Sequence, residues 1–194
     1  ATVNHFFDEL ANIYKGVYLI KDLSVKTQNV VVSYGEKISS YFLSFALNAT
    51  LYNACDFIKT ETILGKRAVD YTTTNRLVKE LFVNHPNRCI VGGFIASCSK
   101  TNEVTNLGRG GSDYTAAILA AALDARKLEI WTDVDGFLTA DPRLVPNAYT
   151  ILEMSYIEAM ELSNFGAKVI YPPTIYPVYA KNIPVYIKNT SNPE

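Results

Sequence analysis

Long apolar runs are missing from this chain of 194 residues. The best candidate, Ala116 to Leu123, is bounded by Asp113 and Asp124 and falls well short of the ~20 residues that a membrane helix needs. Histidine is nearly absent. His5 and His85 stand 80 residues apart, and His85-Pro86 reads as a loop, so a zinc site has no ligand set and no resident metal is expected. Cysteine is scarce too: Cys55, Cys89 and Cys98 are odd in number, widely spaced and form no C-x-x-C pair. That excludes a disulfide framework and reads as buried or half-buried thiols in a reducing compartment, the cytoplasm. No basic run is interleaved with aromatics, and a net charge of −1 marks neither a nucleic-acid nor a membrane partner. A signal peptide, an internal repeat and a low-complexity linker are also missing, so the chain reads as one domain.

What is present is an alternation of two periodicities. Val3, Phe6, Leu10, Ile13, Tyr14 and Val17 recur at helical spacing, so the chain is expected to open on an amphipathic helix. Asn29-Val-Val-Val-Ser33 is β-branched and short and predicts a strand, after which Gly35-Glu36 is expected to open a second helix. Asp56 to Thr60 reads as a short strand, and Asp70 to Val83 as a polar loop followed by a helix. Arg88 to Ser97 reads as one buried strand interrupted by Gly92-Gly93, a pair that implies close approach of a backbone or ligand. A helix to about Ala125, a strand from Lys127 to Trp131, turns at Asp135-Gly136 and Asp141-Pro142, a helix from Ser155 to Phe165 and a strand from Ile183 to Lys188 complete the pattern. Strands alternating with helices predict an α/β fold with a largely parallel sheet.

The stretch Leu107-Gly-Arg-Gly-Gly-Ser-Asp-Tyr-Thr-Ala-Ala-Ile-Leu carries the most chemistry. Its glycines bare the backbone N–H groups, and the helix that follows aims its positive dipole end at the same point, which favours an anion such as phosphate. Asp113 is a negative charge where a phosphate would sit, which is costly unless a metal ion or a lysine bridges the two. Together Gly110, Gly111, Arg109 and Asp113 read as phosphate chemistry rather than mere phosphate binding. A Walker A loop is excluded, because no lysine opens the helix. A dinucleotide fingerprint is disfavoured, because its last glycine is replaced by Asp113. The plainer alternative is a helix cap on a Gly-rich turn, with Ser112 or Asp113 as the capping residue.

Open α/β sheets bind ligands beyond the carboxyl ends of their strands. Ser33-Tyr-Gly-Glu36, the Gly-rich loop and Thr132-Asp133-Val-Asp-Gly136 are all placed at such ends. Glu36 is either a carboxylate stabilised in a first helical turn or a counter-charge for a substrate ammonium. Arg109 is either a solvated loop residue or a bidentate carboxylate clamp. Lys168, in Phe165-Gly-Ala-Lys-Val-Ile, either complements a helix C-terminus or supplies a mobile cation to nucleotide phosphates.

Leu-Gly-Arg-Gly-Gly-Ser-Asp-Tyr-Thr-Ala-Ala, Ile-Trp-Thr-Asp-Val-Asp-Gly, Asp-Pro-Arg and Phe-Gly-Ala-Lys-Val, in this order and spacing, resemble the aspartate kinases of the amino-acid kinase superfamily. The likeness runs from Val32 to the last strand. Met154-Ser-Tyr-Ile-Glu-Ala-Met-Glu-Leu-Ser and Ile187-Lys-Asn-Thr-Ser-Asn-Pro are most similar to the kinase portion of bifunctional aspartokinase–homoserine dehydrogenases. The resemblance implies a three-layer amino-acid-kinase sandwich and phosphoryl transfer from Mg-ATP to the β-carboxylate of L-aspartate. The product, 4-phospho-L-aspartate, leads toward lysine, threonine, methionine and isoleucine. Arg109 then matches the substrate-carboxylate clamp, Glu36 the partner of the substrate ammonium, and Asp113 the acid that organises transfer. Gly110, Gly111, Ser112, Thr132, Asp133, Arg143 and Lys168 match nucleotide-contacting positions. Leu138 stands where many members carry a tyrosine near the adenine. The family also opens with a strand and a Lys-Phe-Gly-Gly-Thr-Ser loop that has no counterpart here. Residues 1–194 are therefore expected to form a partial catalytic domain, inactive alone, with regulatory domains and any NADP-dependent dehydrogenase domain outside the chain. A homo-oligomer is expected. The alternatives are a nucleotide-binding module without turnover and a related kinase for another acidic or carbamoyl substrate.

Overall fold

The computed structural model describes residues 2–83, 88–141, 143–167 and 169–192. His85-Pro86, Pro142 and Lys168 lie outside the described residues. By internal contacts the chain divides into two compact units, Ala1–Ser112 and Asp113–Glu194.

The first unit opens on α1 (Thr2–Ile20), as the apolar spacing predicts. Phe6 meets Tyr34 and Tyr41 edge-on, with ring centroids 6.4 and 6.0 Å apart. Both tyrosines belong to α2 (Val25–Ala46), whose N-cap Ser24 accepts a hydrogen bond from the Thr27 amide. The strand expected at Asn29–Ser33 is therefore absent: these residues are helical. A β-branched run is only a weak prior against helix. Here a good cap and a helical face of small polar residues override it, with Asn29, Ser33, Ser40 and Ser44 buried while Val32 faces outward. Ser33, Ser40 and Ser44 return their hydroxyls to the carbonyls of Val30, Glu36 and Tyr41, so their burial leaves no donor unpaired.

β1 (Thr50–Tyr52) pairs in parallel with β4 (Cys89–Val91). A second sheet has the order β3-β2-β5-β6, built from β2 (Lys59–Ile63), β3 (Lys66–Val69), β5 (Ile95–Cys98) and β6 (Val104–Asn106). Its β2–β5 ladder is parallel and its two hairpin ladders are antiparallel. Asp56 closes a 3-10 turn, so the strand expected from Asp56 starts at Lys59. The single strand expected over Arg88–Ser97 is two strands in different sheets, split at Gly92-Gly93-Phe94. α3 (Tyr71–Phe82), N-capped by Asp70, helps bury Phe57, Ile58, Val78, Phe82 and Ile95.

α4 (Gly111–Ala122) starts at the end of the first unit and runs into the second. There β7 (Leu128–Thr132) pairs in parallel with β8 (Val185–Asn189) over their full lengths. α5 (Tyr156–Asn164) begins in a reciprocal capping box between Ser155 and Glu158, and α6 (Ile175–Tyr179) follows a 3-10 turn. Ala117, Leu128, Ile130, Phe137, Ile175 and Val178 anchor the core of this unit. Three of the five ladders are parallel, so the α/β class with mainly parallel pairing holds.

Candidate active site

The glycine-rich loop leaves β6 through Asn106. Its Oδ1 accepts from the Gly108 amide at 3.0 Å, and its Nδ2 donates to Oδ1 of Asn29 on α2 at 2.8 Å. Arg67 donates to its carbonyl at 3.2 Å. Asn106 thus fixes the take-off angle of the loop, a role the sequence reading missed although Asn before Leu-Gly is a recognisable Asx-turn start. Gly108 and Gly110 hold φ of +74° and +66°, the left-handed region that side chains disfavour. Arg109 is exposed between them at the loop tip.

Beneath this loop the chain makes a strained turn. Phe94 has φ of +67°, an outlier for a bulky residue, and the Ile95 amide donates back to the Gly93 carbonyl at 2.7 Å. The turn is clamped by the Leu107 amide on the Phe94 carbonyl at 2.8 Å. A Cβ on Gly111 would lie 3.0 Å from Phe94 Cδ2, and one on Gly93 would lie 2.8 Å from Ser112 Cα. A Cβ on Gly92 would meet Ser40 Oγ at 3.1 Å and the Glu36 carbonyl at 3.4 Å. The expected close approach at Gly92-Gly93 is therefore made by the first turn of α4 on one side and by α2 on the other.

Glu36 is half-buried in the middle of α2, not in a first turn. Burial pushes its carboxyl upward, and a hydrogen bond from the Ser112 hydroxyl opposes that shift. Within the first unit Gly92-Gly93 lies between the Glu36 turn of α2 and Ser112 at the start of α4. Asp113, next along α4, is half-buried as well, and burial raises its carboxyl.

In the second unit Thr132 and Asp133 stand at the carboxyl end of β7, as expected. The Thr132 carbonyl accepts from the Thr190 amide at 2.8 Å and from its hydroxyl at 3.0 Å. The Asp135 carboxylate accepts from Asn189 Nδ2 at 2.9 Å. Asn189 and Thr190 are therefore the braces of this strand end, and the sequence reading did not single them out. From Phe137 to Ile151 the chain folds back on itself, with Leu138 bridged to Thr150. Arg143 is exposed in that excursion and grips Asp141 with Nη2–Oδ2 at 2.7 Å and Nε–Oδ1 at 3.0 Å, holding the Asp141 carboxyl down at about 2. Lys168 lies outside the described residues. A cavity of about 630 Å³, walled by Phe137, Met154, Ile175 and Val185, includes none of the expected site residues among the described residues.

The three thiols are free, with burial raising those of Cys55 and Cys89. Among the described residues no group of three acids, histidines or cysteines could hold a metal, and no helix is long and apolar enough to cross a membrane.

The profile described as the amino acid kinase family matches residues 4–189. A bifunctional aspartokinase/homoserine dehydrogenase of Buchnera aphidicola is 42% identical over 192 residues, covering 96% of this chain and 23% of that protein. The chloroplastic aspartokinase 1 of Arabidopsis thaliana is 34% identical, covering 97% of this chain and 35% of its own length. Among solved structures, E. coli aspartokinase III in complex with aspartate and ADP superposes with a TM-score of 0.89 at 32% identity, covering 100% of this chain and 44% of that one. The chain thus spans less than half the length of each of these relatives.

Proposed function

The chain belongs to the amino acid kinase family, and from that premise we propose that it is part of an aspartate kinase. In the reaction a β-carboxylate oxygen of L-aspartate attacks the γ-phosphorus of ATP, the bond to ADP breaks, and 4-phospho-L-aspartate forms. The observation that carries the reading is the convergence of a half-buried carboxylate, Glu36, with the first turn of a glycine-opened helix that continues into a second half-buried carboxylate, Asp113. Support for aspartate in particular comes from relatives named aspartokinases, both single-function and bifunctional, and from the aspartate and ADP complex of the E. coli enzyme.

Each residue has a chemical task in this scheme. Arg109, exposed and flanked by left-handed glycines, clamps the substrate α-carboxylate with its planar fork. Glu36 receives the ammonium. A cation there lowers the cost of its burial, which otherwise holds its carboxyl up. Gly110 and Gly111 leave the backbone bare for phosphate oxygens to approach, with the Gly111 N–H donating to the Gly108 carbonyl at 3.1 Å to hold the loop in shape. Thr132, Asp133, Arg143 and Lys168 take the nucleotide. Leu138 offers an apolar contact where a tyrosine is common in the family. The attacking carboxylate is ionised at neutral pH, so the site needs no general base, in keeping with a chain of two histidines.

Asp113 fits a magnesium ion brought in with ATP. Burial raises its carboxyl, and Mg²⁺ is commonly held by one or two carboxylates together with substrate phosphates. When bound, the ion would neutralise charge on the phosphoryl oxygens. Asp113 itself anchors and orients that charge from the first turn of α4.

The test is ADP release by the full-length protein with Mg-ATP and either aspartate or glutamate. Aspartate-dependent turnover is expected. Preference for glutamate or a carbamoyl acceptor would move the reading to another member of the family, and nucleotide binding without turnover would favour a silent module.

A further inference from the structure

We propose that Asn29 and Asn106 are positioning residues for the amino-acid substrate, their mutual hydrogen bond setting the separation between Glu36 on α2 and Arg109 on the glycine-rich loop. The inference rests on the assignment of Glu36 to the substrate ammonium and of Arg109 to its α-carboxylate.

Asn29 precedes Glu36 by seven positions on α2. Seven residues are close to two full turns, so the two share one face of the helix, about 10 Å apart along its axis. Ser33 and Ser40 continue that stripe; they and Asn29 are buried, and Glu36 is half-buried. α2 packs against β6, whose last residue is Asn106, and Arg109 follows three positions later. The bond from Asn106 Nδ2 to Asn29 Oδ1, at 2.8 Å, therefore joins the helix that carries Glu36 directly to the base of the loop that carries Arg109.

Both ends of this link are anchored. Beside Asn106, the buried Thr105 hydroxyl meets that of Thr60 at 2.9 Å, Arg67 donates to the Asn106 carbonyl at 3.2 Å, and the Leu107 amide donates to the Phe94 carbonyl at 2.8 Å. Asn29 is only 7% exposed, so losing its partner would strand a buried amide oxygen. An apolar pair could fill the same space at less cost in polar burial, but it would allow the loop to slide along α2. A satisfied polar pair fixes one register.

The consequence lies in the head group of the substrate. The ammonium and α-carboxylate of an amino acid branch from one carbon, so both are held at once only if Glu36 and Arg109 keep a fixed separation. The phosphate-facing glycines are seated by other contacts, the Gly111 amide on the Gly108 carbonyl at 3.1 Å and the close packing of Gly111 on Phe94. Loss of the asparagine link should therefore weaken aspartate and spare ATP.

The experiment measures KM for aspartate and KM for ATP separately in the full-length enzyme carrying Asn29→Ala, Asn106→Ser, or both. Asn29→Ala leaves the Asx turn of the loop untouched. Asn106→Ser keeps a side-chain oxygen for the Gly108 amide and removes the donor that reaches Asn29. Each change is expected to raise the aspartate KM about tenfold, the scale of one hydrogen bond in a buried site, with the ATP KM within about twofold. The ATP KM also shows that each variant is folded. The double variant should be no worse than the single ones, because both break the same bond. An unchanged aspartate KM in Asn29→Ala, an equal rise in both KM values, or additive effects in the double variant overturns the inference. Arg109→Ala and Glu36→Ala test the underlying reading separately: if either leaves the aspartate KM unchanged, that residue's assignment falls and the inference with it.

Discussion

Replacing Gly93 by alanine adds one methyl group at the most crowded backbone approach in the first unit. The new Cβ would stand 2.8 Å from Ser112 Cα, whereas ordinary contact begins near 3.4 Å, so about 0.6 Å of movement is required. The obstacle is a main-chain atom in the first turn of α4, and no rotamer change removes it. Overpacking of this kind typically costs ~1–3 kcal/mol. A misplacement approaching 1 Å at a reacting centre can cost roughly 10²-fold in rate, so Gly93→Ala should lower kcat/KM for aspartate by about ten- to a hundred-fold. Gly35→Ala is the matched control. Gly35 lies in the interior of α2 with nothing within 4 Å of an added Cβ, and there alanine should stabilise the helix by up to ~1 kcal/mol. Steady-state kinetics and hydrogen exchange of the α2 and α4 amides read both changes. Wild-type kcat/KM with unaltered α4 protection in Gly93→Ala would falsify the claim that this contact sets the site.

Three further outcomes are expected. Asp113→Asn should lower kcat by about 10²-fold or more with little change in nucleotide affinity, because its interaction belongs to the transition state; calorimetric ADP binding beside turnover checks this. Lys168→Ala should weaken ATP binding ten- to a hundred-fold, or ~1.5–3 kcal/mol, and an unchanged affinity in a folded protein would remove the lysine from the nucleotide set. Asp70→Ala should cost α3 about 1 kcal/mol at pH 7 as a lost N-cap. The Asp70 carboxyl is held below its ordinary value by donation from the Thr73 amide and the Ser99 hydroxyl, so its contribution is complete above about pH 4 and drains as pH falls through the lowered value. The stability gap between wild type and Asp70→Ala should therefore narrow as melts are run at progressively lower pH, and a gap as wide at pH 2 as at pH 7 would refute the ionised cap.

The parts legible in the sequence are those governed by local rules. Left-handed glycines at 108 and 110, the Ser155 cap and the Asp-Gly turn after β7 each follow from residue type alone. Val30 to Val32 misled, because β-branching argues for strand while the burial of Asn29, Ser33 and Ser40 argues for helix, and the second pattern is visible only once a partner surface exists. The misplacement of Glu36 in a first helical turn followed from that error. Gly92-Gly93 announced a close approach, but nothing in residue type says that the chain there leaves one sheet for another. The left-handed φ of Phe94 is likewise imposed by its surroundings, since phenylalanine gives no local reason for it. Asn189 and Thr190 were read only as part of a family-like stretch, because the partners they brace are more than fifty positions upstream.

That last distance bears on how the protein is made. β7 takes its register from β8, and the Thr132 carbonyl is closed by Thr190, 58 residues later in the chain. A ribosome adding ~5–20 residues per second needs roughly 3–12 s to cover that interval. Throughout it, Thr132 and Asp133 have been made while the strand that seats them is not yet complete. The carboxyl end of β7 thus acquires these contacts only after Thr190 is made, while the Gly110–Ser112 loop and its neighbours in the first unit need nothing beyond residue 112 for the contacts described above. Nascent chains halted before Val185 should hold the Gly-rich loop contacts of the first unit yet protect no β7 amides.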